Sequence, residues 1–208
     1  MGETMLRRLE SYFLLSPSPG GLILPPDPFE QKQASIFHGD GSPARRAAVL
    51  IPVVYTPDGK DSQIMLTRRT AHLRSHPGQI SLPGGSVEPE DRDLIHTALR
   101  EAEEETCLPA HAVKVIGTLP ALLMSTAFHV TPVVGLVDAD TPVAACPEEV
   151  AEIFYVPTTV LLNPDNYRIS SMMFQNRERK FRELIYQDYR IWGATAAILH
   201  HLAEQIHS

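Results

Sequence analysis

Three glutamates near the middle of the chain have the spacing of a cation-binding cluster. Glu101 precedes Glu104 and Glu105 by three and four residues, so all three lie on a common face of a helix. Like charges at this spacing repel each other, and a bound cation would relieve the repulsion. Carboxylate oxygens are the ligands that Mg²⁺ and Mn²⁺ prefer. The spacing therefore predicts a divalent metal site, with a solvated acidic face as the alternative.

The residues around the glutamates favour the metal site. Gly84 and Gly85 precede the predicted helix and allow the backbone to approach a ligand closely. Arg100 lies next to the cluster, and we expect it to pair with one carboxylate and hold it in place. Asp91 or Asp93 is expected to cap the start of the helix. The helix also has a separate apolar side, which consists of Leu94, Ile95, Ala98, Leu99 and Ala102.

A basic segment lies just upstream of the glycines. Residues 68–76 contain Arg68, Arg69 and Arg74 and no acidic residue, in a chain whose net charge is −7. Arginine binds phosphate through a planar fork of N–H donors, so the segment is predicted to clamp an anionic small molecule; a basic surface loop is the alternative. The negative net charge disfavours non-specific binding of nucleic acid. A basic clamp beside an acidic helix is the arrangement that a magnesium–phosphate substrate requires.

The elements that must position these residues are strands mixed with a few helices, which indicates an α+β domain. A short helix (5–14) and a connector rich in Pro and Gly (16–27) belong to an N-terminal part, residues 1–44, and residues 45–208 form the main domain. Strands are predicted over 46–56, 63–68, 113–119, 129–137 and 153–156, followed by a hairpin of 167–174 and 180–186 and a terminal helix over 191–206.

Composition is typical of a globular protein. The 208 residues are 43% hydrophobic, which is enough for a sizeable core. The sequence has no apolar run of about 18 residues, so no membrane-spanning helix is expected, and residues 1–10 lack the pattern of a secretory signal. Cys107 and Cys146 are expected to be free thiols of a cytoplasmic protein. The oligomeric state is left open, with a homodimer among the alternatives.

The segment from Leu82 to Leu108 resembles the Nudix box, in which a glycine loop leads into a helix that carries Arg-Glu-hydrophobic-any-Glu-Glu. Residues 100–105 match that core in order. Asp91 is the nearest equivalent of the early glutamate of the box. Cys107 stands where the box has glycine, and a non-glycine residue in a left-handed helix end costs about 1–2 kcal/mol. The resemblance implies a Nudix fold, with a mixed β-sheet sandwiched between α-helices, and a hydrolase that uses Mg²⁺ or Mn²⁺.

Residues upstream of the box resemble the signature of the bacterial coenzyme A pyrophosphatase branch of this family. The matching positions are Leu66, Thr67, Arg69, Arg74, Gly78, Pro83, Gly84 and Gly85. The implied reaction is hydrolysis of the diphosphate of coenzyme A or a derivative, which gives 3′-phosphoadenosine 5′-phosphate and 4′-phosphopantetheine or its acyl form. A general nucleoside diphosphate hydrolase, such as one acting on ADP-ribose, and a non-catalytic ligand sensor are the alternatives.

The resemblance also implies roles for individual residues. Glu101 and Glu105 are expected to bind the metal, and Glu104 is either a third ligand or the residue that orients or deprotonates the attacking water. Glu149 or Glu152 is the alternative general base, since other Nudix enzymes place the base outside the box. Arg100 is expected to support the catalytic carboxylates. The expected substrate contacts come from Arg69, Arg74, Gly84, Gly85 and Phe128.

Overall fold

The computed structural model describes residues 3–28, 30–32, 45–56, 61–73, 75–124, 128–174 and 176–207. Its α-helices are α1 (Met5–Leu15), α2 (Leu94–Thr106), α3 (Thr158–Leu161) and α4 (Ala194–His207). Its strands are β1 (Leu22–Ile23), β2 (Arg45–Tyr55), β3 (Ser62–Arg69), β4 (Ile80–Ser81), β5 (Gly84–Ser86), β6 (Val113–Thr118), β7 (Ala121–Leu123), β8 (Phe128–Asp138), β9 (Val150–Pro157), β10 (Arg168–Phe174), β11 (Arg177–Tyr186) and β12 (Tyr189–Trp192). Within these ranges, none of the helices has the length and hydropathy needed to cross a membrane.

The larger of two sheets is mixed. Among the described residues its strands follow the order β1-β7-β8-β2-β3-β4, and β5, β6 and β9 pair with β2, β8 and β3. Strand β2 pairs in parallel with β8 along its whole length, whereas β3 runs antiparallel to both β2 and β9. The smaller sheet, β10-β11-β12, is antiparallel. Parallel and antiparallel pairs in one sheet, together with few helices, confirm the α+β class.

Helices cover both faces of the larger sheet. On the face that we call the α2 face, Ala98 and Ala102 of α2 pack on Ala48, Leu50 and Met65. On the opposite face, the α4 face, helices α1, α3 and α4 form a second apolar cluster with the strands, which includes Leu9, Phe13, Ile51, Ile64, Leu66, Leu161 and Leu199. Successive side chains of a strand point to opposite faces, so each central strand contributes to both clusters. The expected mixed sheet between helices is confirmed.

The expected strands are present, with ends that shift by a few residues, but the terminal helix begins later than expected. Ile191 and Trp192 belong to β12, where they pair with Leu184 and Glu183 of β11. Gly193, at a φ of +66°, separates β12 from α4. The apolar pattern of residues 191–206 fits a helix, but residues 189–192 instead form a tight hairpin with residues 183–186 of β11. A pattern read only for helical periodicity does not detect this pairing.

Candidate active site

Helix α2 holds two of its glutamates against the sheet. Residues 98, 101, 102 and 105 lie on one stripe of a helix, and Ala98 and Ala102 of this stripe pack on the sheet. The side chain of Glu105 is 4% exposed and that of Glu101 is 18% exposed, whereas Glu104 is 60% exposed. The expectation that the acidic and apolar residues occupy separate sides of α2 is therefore wrong, because Glu101 and Glu105 share the apolar stripe.

Asp91 anchors Arg100. Its buried carboxylate accepts hydrogen bonds from Nε and Nη2 of Arg100, both at 3.0 Å. It also accepts the Thr97 hydroxyl and the Glu88 backbone N–H, each at 2.9 Å. These bonds, first of all those from Arg100, hold the pKa of Asp91 far below its usual range. The helix cap is instead Asp93, whose side chain accepts the His96 backbone N–H at 2.8 Å.

Arg100 connects this anchor to the glutamates. Its Nη1 atom lies 3.1 Å from Oε1 of Glu101 and 3.1 Å from Oε2 of Glu104. Its Nη2 atom also donates to the Ser86 carbonyl oxygen at 3.1 Å. The predicted pairing of Arg100 with a neighbouring carboxylate is present, and Asp91 fixes the guanidinium that makes it. Glu104 is turned toward Arg100 at the protein surface.

Two glycines bring the backbone of β5 against the carboxylates. A Cβ atom at Gly85 would lie 2.5 Å from the carboxyl carbon of Glu101, so any other residue would displace that side chain. Gly84 has a φ of +154°, and its backbone N–H donates to the carboxylate of Glu105. Strand β5 is held in place by pairing with Ala47, Ala48 and Val49 of β2. The close approach expected for the double glycine is made to the acidic side chains themselves.

Glu105 has the most strongly raised pKa among the carboxyl groups of the site. Its pKa is raised to about 8, mainly by burial and also by the charges of Glu149 and Glu101, while Arg69 opposes the shift. Nη1 of Arg69 lies 3.6 Å from Oε1 of Glu105, which is the distance of an ion pair rather than of a hydrogen bond. Within the described residues, Oε2 of Glu105 and Nε of Arg69 are buried without a hydrogen-bond partner.

The two adjacent arginines of β3 serve opposite faces of the sheet. Arg69 reaches Glu105 on the α2 face, whereas Nη2 of Arg68 pairs with Glu152 at 2.7 Å. The Tyr189 hydroxyl donates to the same carboxylate at 2.6 Å, and the ring of Tyr189 stacks on Phe154 of the α4-face cluster with centroids 3.8 Å apart. Glu152 therefore lies away from Glu105. Sequence reasoning missed this division, although strand alternation contains the signal.

One expected substrate contact, Phe128, is not brought to the carboxylates. Phe128 packs against the α4-face cluster, and the guanidinium carbon of Arg45 lies 4.5 Å from its ring centroid. Arg74 lies outside the described residues. Glu149, by contrast, is exposed, and its charge acts on Glu101 and Glu105. The backbone carbonyl of Glu149 accepts the Thr70 N–H at 2.9 Å, which ties the Glu149 loop to the residue after Arg69.

The site offers an incomplete set of metal ligands. Across the part of the chain that the structure describes, no three His, Cys, Asp or Glu side chains are grouped closely enough to hold a metal ion. Glu101 and Glu105 nevertheless share one stripe of α2, and Glu105 has a buried oxygen without a partner. A buried carboxylate oxygen without a partner suits a hard cation, whose remaining coordination positions would be filled by water or phosphate oxygens.

Helix α2 ends in the conformation expected at the position where the Nudix box has glycine. Cys107 follows the helix in the left-handed conformation, with φ of 52° and ψ of 20°, and its backbone N–H donates to the Glu103 carbonyl. This is the geometry that favours glycine at a helix end. Loop residues then bind the last turn, because the N–H groups of Ala144 and Cys146 donate to the carbonyls of Thr106 and Glu105, each at 2.9 Å. These contacts offset the cost of a non-glycine residue at position 107.

Comparison with known proteins agrees with this geometry. Residues 44–175 match the family model described as NUDIX domain. Curated relatives from Yersinia pestis (strain Pestoides F) and Yersinia pseudotuberculosis serotype O:1b (strain IP 31758), both called "Uncharacterized Nudix hydrolase NudL", are 44% identical over 162 residues, which is 78% of this chain and 80% of each relative. A solved Nudix hydrolase from M. smegmatis, RenU, aligns with a TM-score of 0.43 and 24% identity over 56% of this chain and 72% of that one.

Proposed function

Because this chain belongs to the Nudix hydrolase family and is a Nudix pyrophosphohydrolase, we propose that it cleaves the diphosphate of coenzyme A or a coenzyme A derivative. Water would split the diphosphate into 3′-phosphoadenosine 5′-phosphate and 4′-phosphopantetheine or its acyl form. The choice of coenzyme A rests on the signature between Leu66 and Gly85. The catalytic helix alone cannot make this choice, because every adenosine diphosphate derivative offers it the same diphosphate.

The single structural observation that supports metal-dependent hydrolysis of a diphosphate is the pairing of Arg69 with Glu105. The two side chains lie 3.6 Å apart, and within the described residues each keeps one buried polar atom without a hydrogen-bond partner. The N–H of Arg69 suits a phosphate oxygen, and the carboxylate oxygen of Glu105 suits a hard cation. A diphosphate that carries a divalent cation supplies both partners at once.

Glu101 and Glu105 would hold that cation, Mg²⁺ or Mn²⁺, and Gly85 leaves room for the Glu101 carboxylate. When bound, the cation shields the charge of the diphosphate and lowers the pKa of water at the site. Arg100, anchored by Asp91, orients Glu101. Glu104 remains a proposed third ligand, although in the described structure its carboxylate pairs with Arg100.

Glu149 is the proposed general base, with Glu104 as the alternative. Its exposed carboxylate lies close enough to raise the pKa of Glu105, so it is within reach of the same small region. Glu152 is a poorer candidate because Arg68 and Tyr189 already bind its two oxygens. Glu149 would take the proton of the attacking water. A base needs this reach before its pKa matters.

Arg69, together with Arg74, would bind the phosphates of the substrate. Gly84 and Gly85 would line the cleavage site through their backbone, and Phe128 would border the remainder of the ligand. These contacts are additions to the metal site. Only a contact that reaches the 3′-phosphate or the pantetheine arm would distinguish coenzyme A from other adenosine diphosphate derivatives. Coenzyme A carries a 3′-phosphate besides its diphosphate, so a second arginine of the segment 68–76 would bind that phosphate.

A competition assay tests the proposal. Purified protein with Mg²⁺ or Mn²⁺ would be given equal amounts of coenzyme A and ADP-ribose, with NADH and dinucleoside polyphosphates in parallel reactions. We expect coenzyme A to be consumed faster, since a site built around the 3′-phosphate leaves its arginine unpaired when ADP-ribose binds. A ratio of kcat/KM near one, or one in favour of ADP-ribose, would contradict the coenzyme A assignment and leave the metal-dependent hydrolase intact.

A further inference from the structure

Strand β10 is an edge strand that lacks the usual protection against pairing with another chain. Among the described residues it forms the outer edge of the smaller sheet, and its ladder with β11 has no register shift. Only its first residue, Arg168, is charged, and it contains no proline. Native edges are normally blunted by lysine, proline or a bulge. The strand instead exposes apolar side chains at Ile169, Met172, Met173 and Phe174, which are 48%, 38%, 71% and 45% exposed.

The hydrogen bonds of β11 reveal which backbone groups of β10 point outward. Ser171 lies opposite Lys180, but the Lys180 backbone N–H donates to Oδ2 of Asp27 at 2.9 Å. Ser171 and Lys180 therefore form a non-hydrogen-bonded pair, and the N–H and C=O of Ser171 face away from β11. Pairs of the two kinds alternate along an antiparallel ladder, so Ile169 and Met173 also direct their backbone groups outward.

These three outward positions are symmetric about Ser171. We propose that β10 pairs antiparallel with β10 of a second copy of this chain, across a two-fold axis at Ser171. In this register Ser171 lies opposite its own copy, and Ile169 lies opposite the partner's Met173. Each outward position then forms a hydrogen-bonded pair, so the dimer satisfies the whole outer edge and buries its two most exposed apolar positions on one face.

Charges next to β10 complement this register. Arg182 lies opposite Ile169, and Glu178 lies opposite Met173. Across the two-fold axis, one row of side chains would therefore run from Arg182 through Ile169 and the partner's Met173 to the partner's Glu178, with opposite charges at its two ends. A second copy thus supplies matching backbone, apolar and charged groups together.

Sedimentation velocity over a range of concentrations tests the dimer. We expect a dimer whose midpoint concentration rises by about tenfold or more in Met173→Lys, because the new ammonium would be placed against the partner's Ile169 and would lose its hydration. Leu15→Lys is the control, because Leu15 is 87% exposed and lies on α1, so it should leave the midpoint unchanged. Circular dichroism and melting temperature would verify that each variant is folded.

Disulfide trapping tests the register itself. Residues in a hydrogen-bonded antiparallel pair have Cα atoms about 5.5 Å apart, within the range of roughly 4.4–6.8 Å that a disulfide bridges. Ser171→Cys should therefore form a Cys–Cys bond between two copies under mild oxidation, identified by peptide mass spectrometry. Met172→Cys is the matched control, because residue 172 would lie opposite residue 170 of the partner. A monomer at all concentrations, or a dimer that Met173→Lys leaves intact and Ser171→Cys does not crosslink, would overturn the proposal.

Discussion

Nη1 of Arg69 in β3 lies 3.6 Å from Oε1 of Glu105 in α2, and each side chain retains a buried polar atom without a partner among the described residues. A buried polar atom left unpaired costs about 1–3 kcal/mol. The surrounding packing of α2 on the sheet compensates for that cost. A buried carboxyl oxygen and a buried guanidinium N–H that both lack a partner suit a site for an external cation and an external anion.

Replacing Glu105 should remove most of the activity. Glu105→Gln keeps the shape of the side chain but removes the charge, and we expect kcat/KM to fall by at least about 100-fold, because loss of the cation's role is worth several kcal/mol. The measurement is turnover of coenzyme A over a titration of Mg²⁺. Glu103→Gln is the control, since Glu103 is exposed on the same helix. Equal metal dependence in the parent and in Glu105→Gln would remove Glu105 from the metal site.

The two arginines of β3 should differ in their effect on catalysis. Arg69→Ala is expected to raise KM, with a loss of about 1.5–3 kcal/mol for a charged hydrogen bond to phosphate. Arg68→Ala should change KM little, because Arg68 pairs with Glu152 on the α4 face. Steady-state kinetics with coenzyme A and with dephosphorylated coenzyme A would show which phosphate Arg69 binds. Similar losses for both variants would contradict the division of the arginines between the faces.

Asp91 should make the free energy of unfolding decrease at acidic pH. Its carboxyl has a lowered pKa in the folded protein, so it contributes stability that is present above the unfolded pKa of about 4 and lost as the pH falls toward the folded value. Asp91→Asn should lower the melting temperature at pH 7, and the difference from the parent should shrink near pH 3. Asp93→Asn is the control, since asparagine caps a helix as well as aspartate. Parallel pH profiles of parent and Asp91→Asn would show that Asp91 does not stabilise through its charge.

Metal binding should release a proton at neutral pH. Burial raises the pKa of Glu105 to about 8, so in the metal-free protein this carboxyl is mostly protonated at pH 7 and must ionise to bind a cation. Isothermal titration calorimetry with Mn²⁺ in two buffers of different ionisation enthalpy should detect nearly one proton released at pH 7 and much less at pH 9. Metal affinity should rise with pH and level off above about 8.

The same carboxyl should affect stability in the opposite direction to Asp91. Between its unfolded pKa and about 8, the folded metal-free protein binds more protons at Glu105 than the unfolded chain does. The protonated Glu105 carboxyl therefore contributes to the free energy of unfolding at low pH. That contribution is lost as the pH rises through that window. In Glu105→Gln this part of the pH dependence should disappear. In the calorimetric experiment, release of almost no protons on Mn²⁺ binding at every pH would show that Glu105 is already ionised in the metal-free protein.

The sequence predicted helix α2 and limited its cap to Asp91 or Asp93, because a helix and its cap depend on neighbouring residues. Asp93 caps α2, and the left-handed residue expected where the box has glycine is Cys107. The burial of Glu101 and Glu105 was not predicted, because a pattern that assigns polar residues to the outside cannot identify a carboxylate on the packed stripe. The role of Asp91 depends on a hydrogen bond across nine residues of chain, which composition and periodicity do not encode.

Neighbouring arginines on β3 are separated by the full thickness of the sheet, and this has an evolutionary consequence. Arg69 faces the carboxylates, so selection for activity constrains it. Arg68 and Glu152 are constrained instead by their contacts with each other and with Tyr189. Substitutions at the two positions should therefore accumulate independently in descendants of this chain, and a change at one should not be rescued by a change at the other. A single-residue deletion within β3 before the two arginines would turn each of them to the opposite face of the sheet. Both the contact with Glu105 and the contact with Glu152 would then be lost.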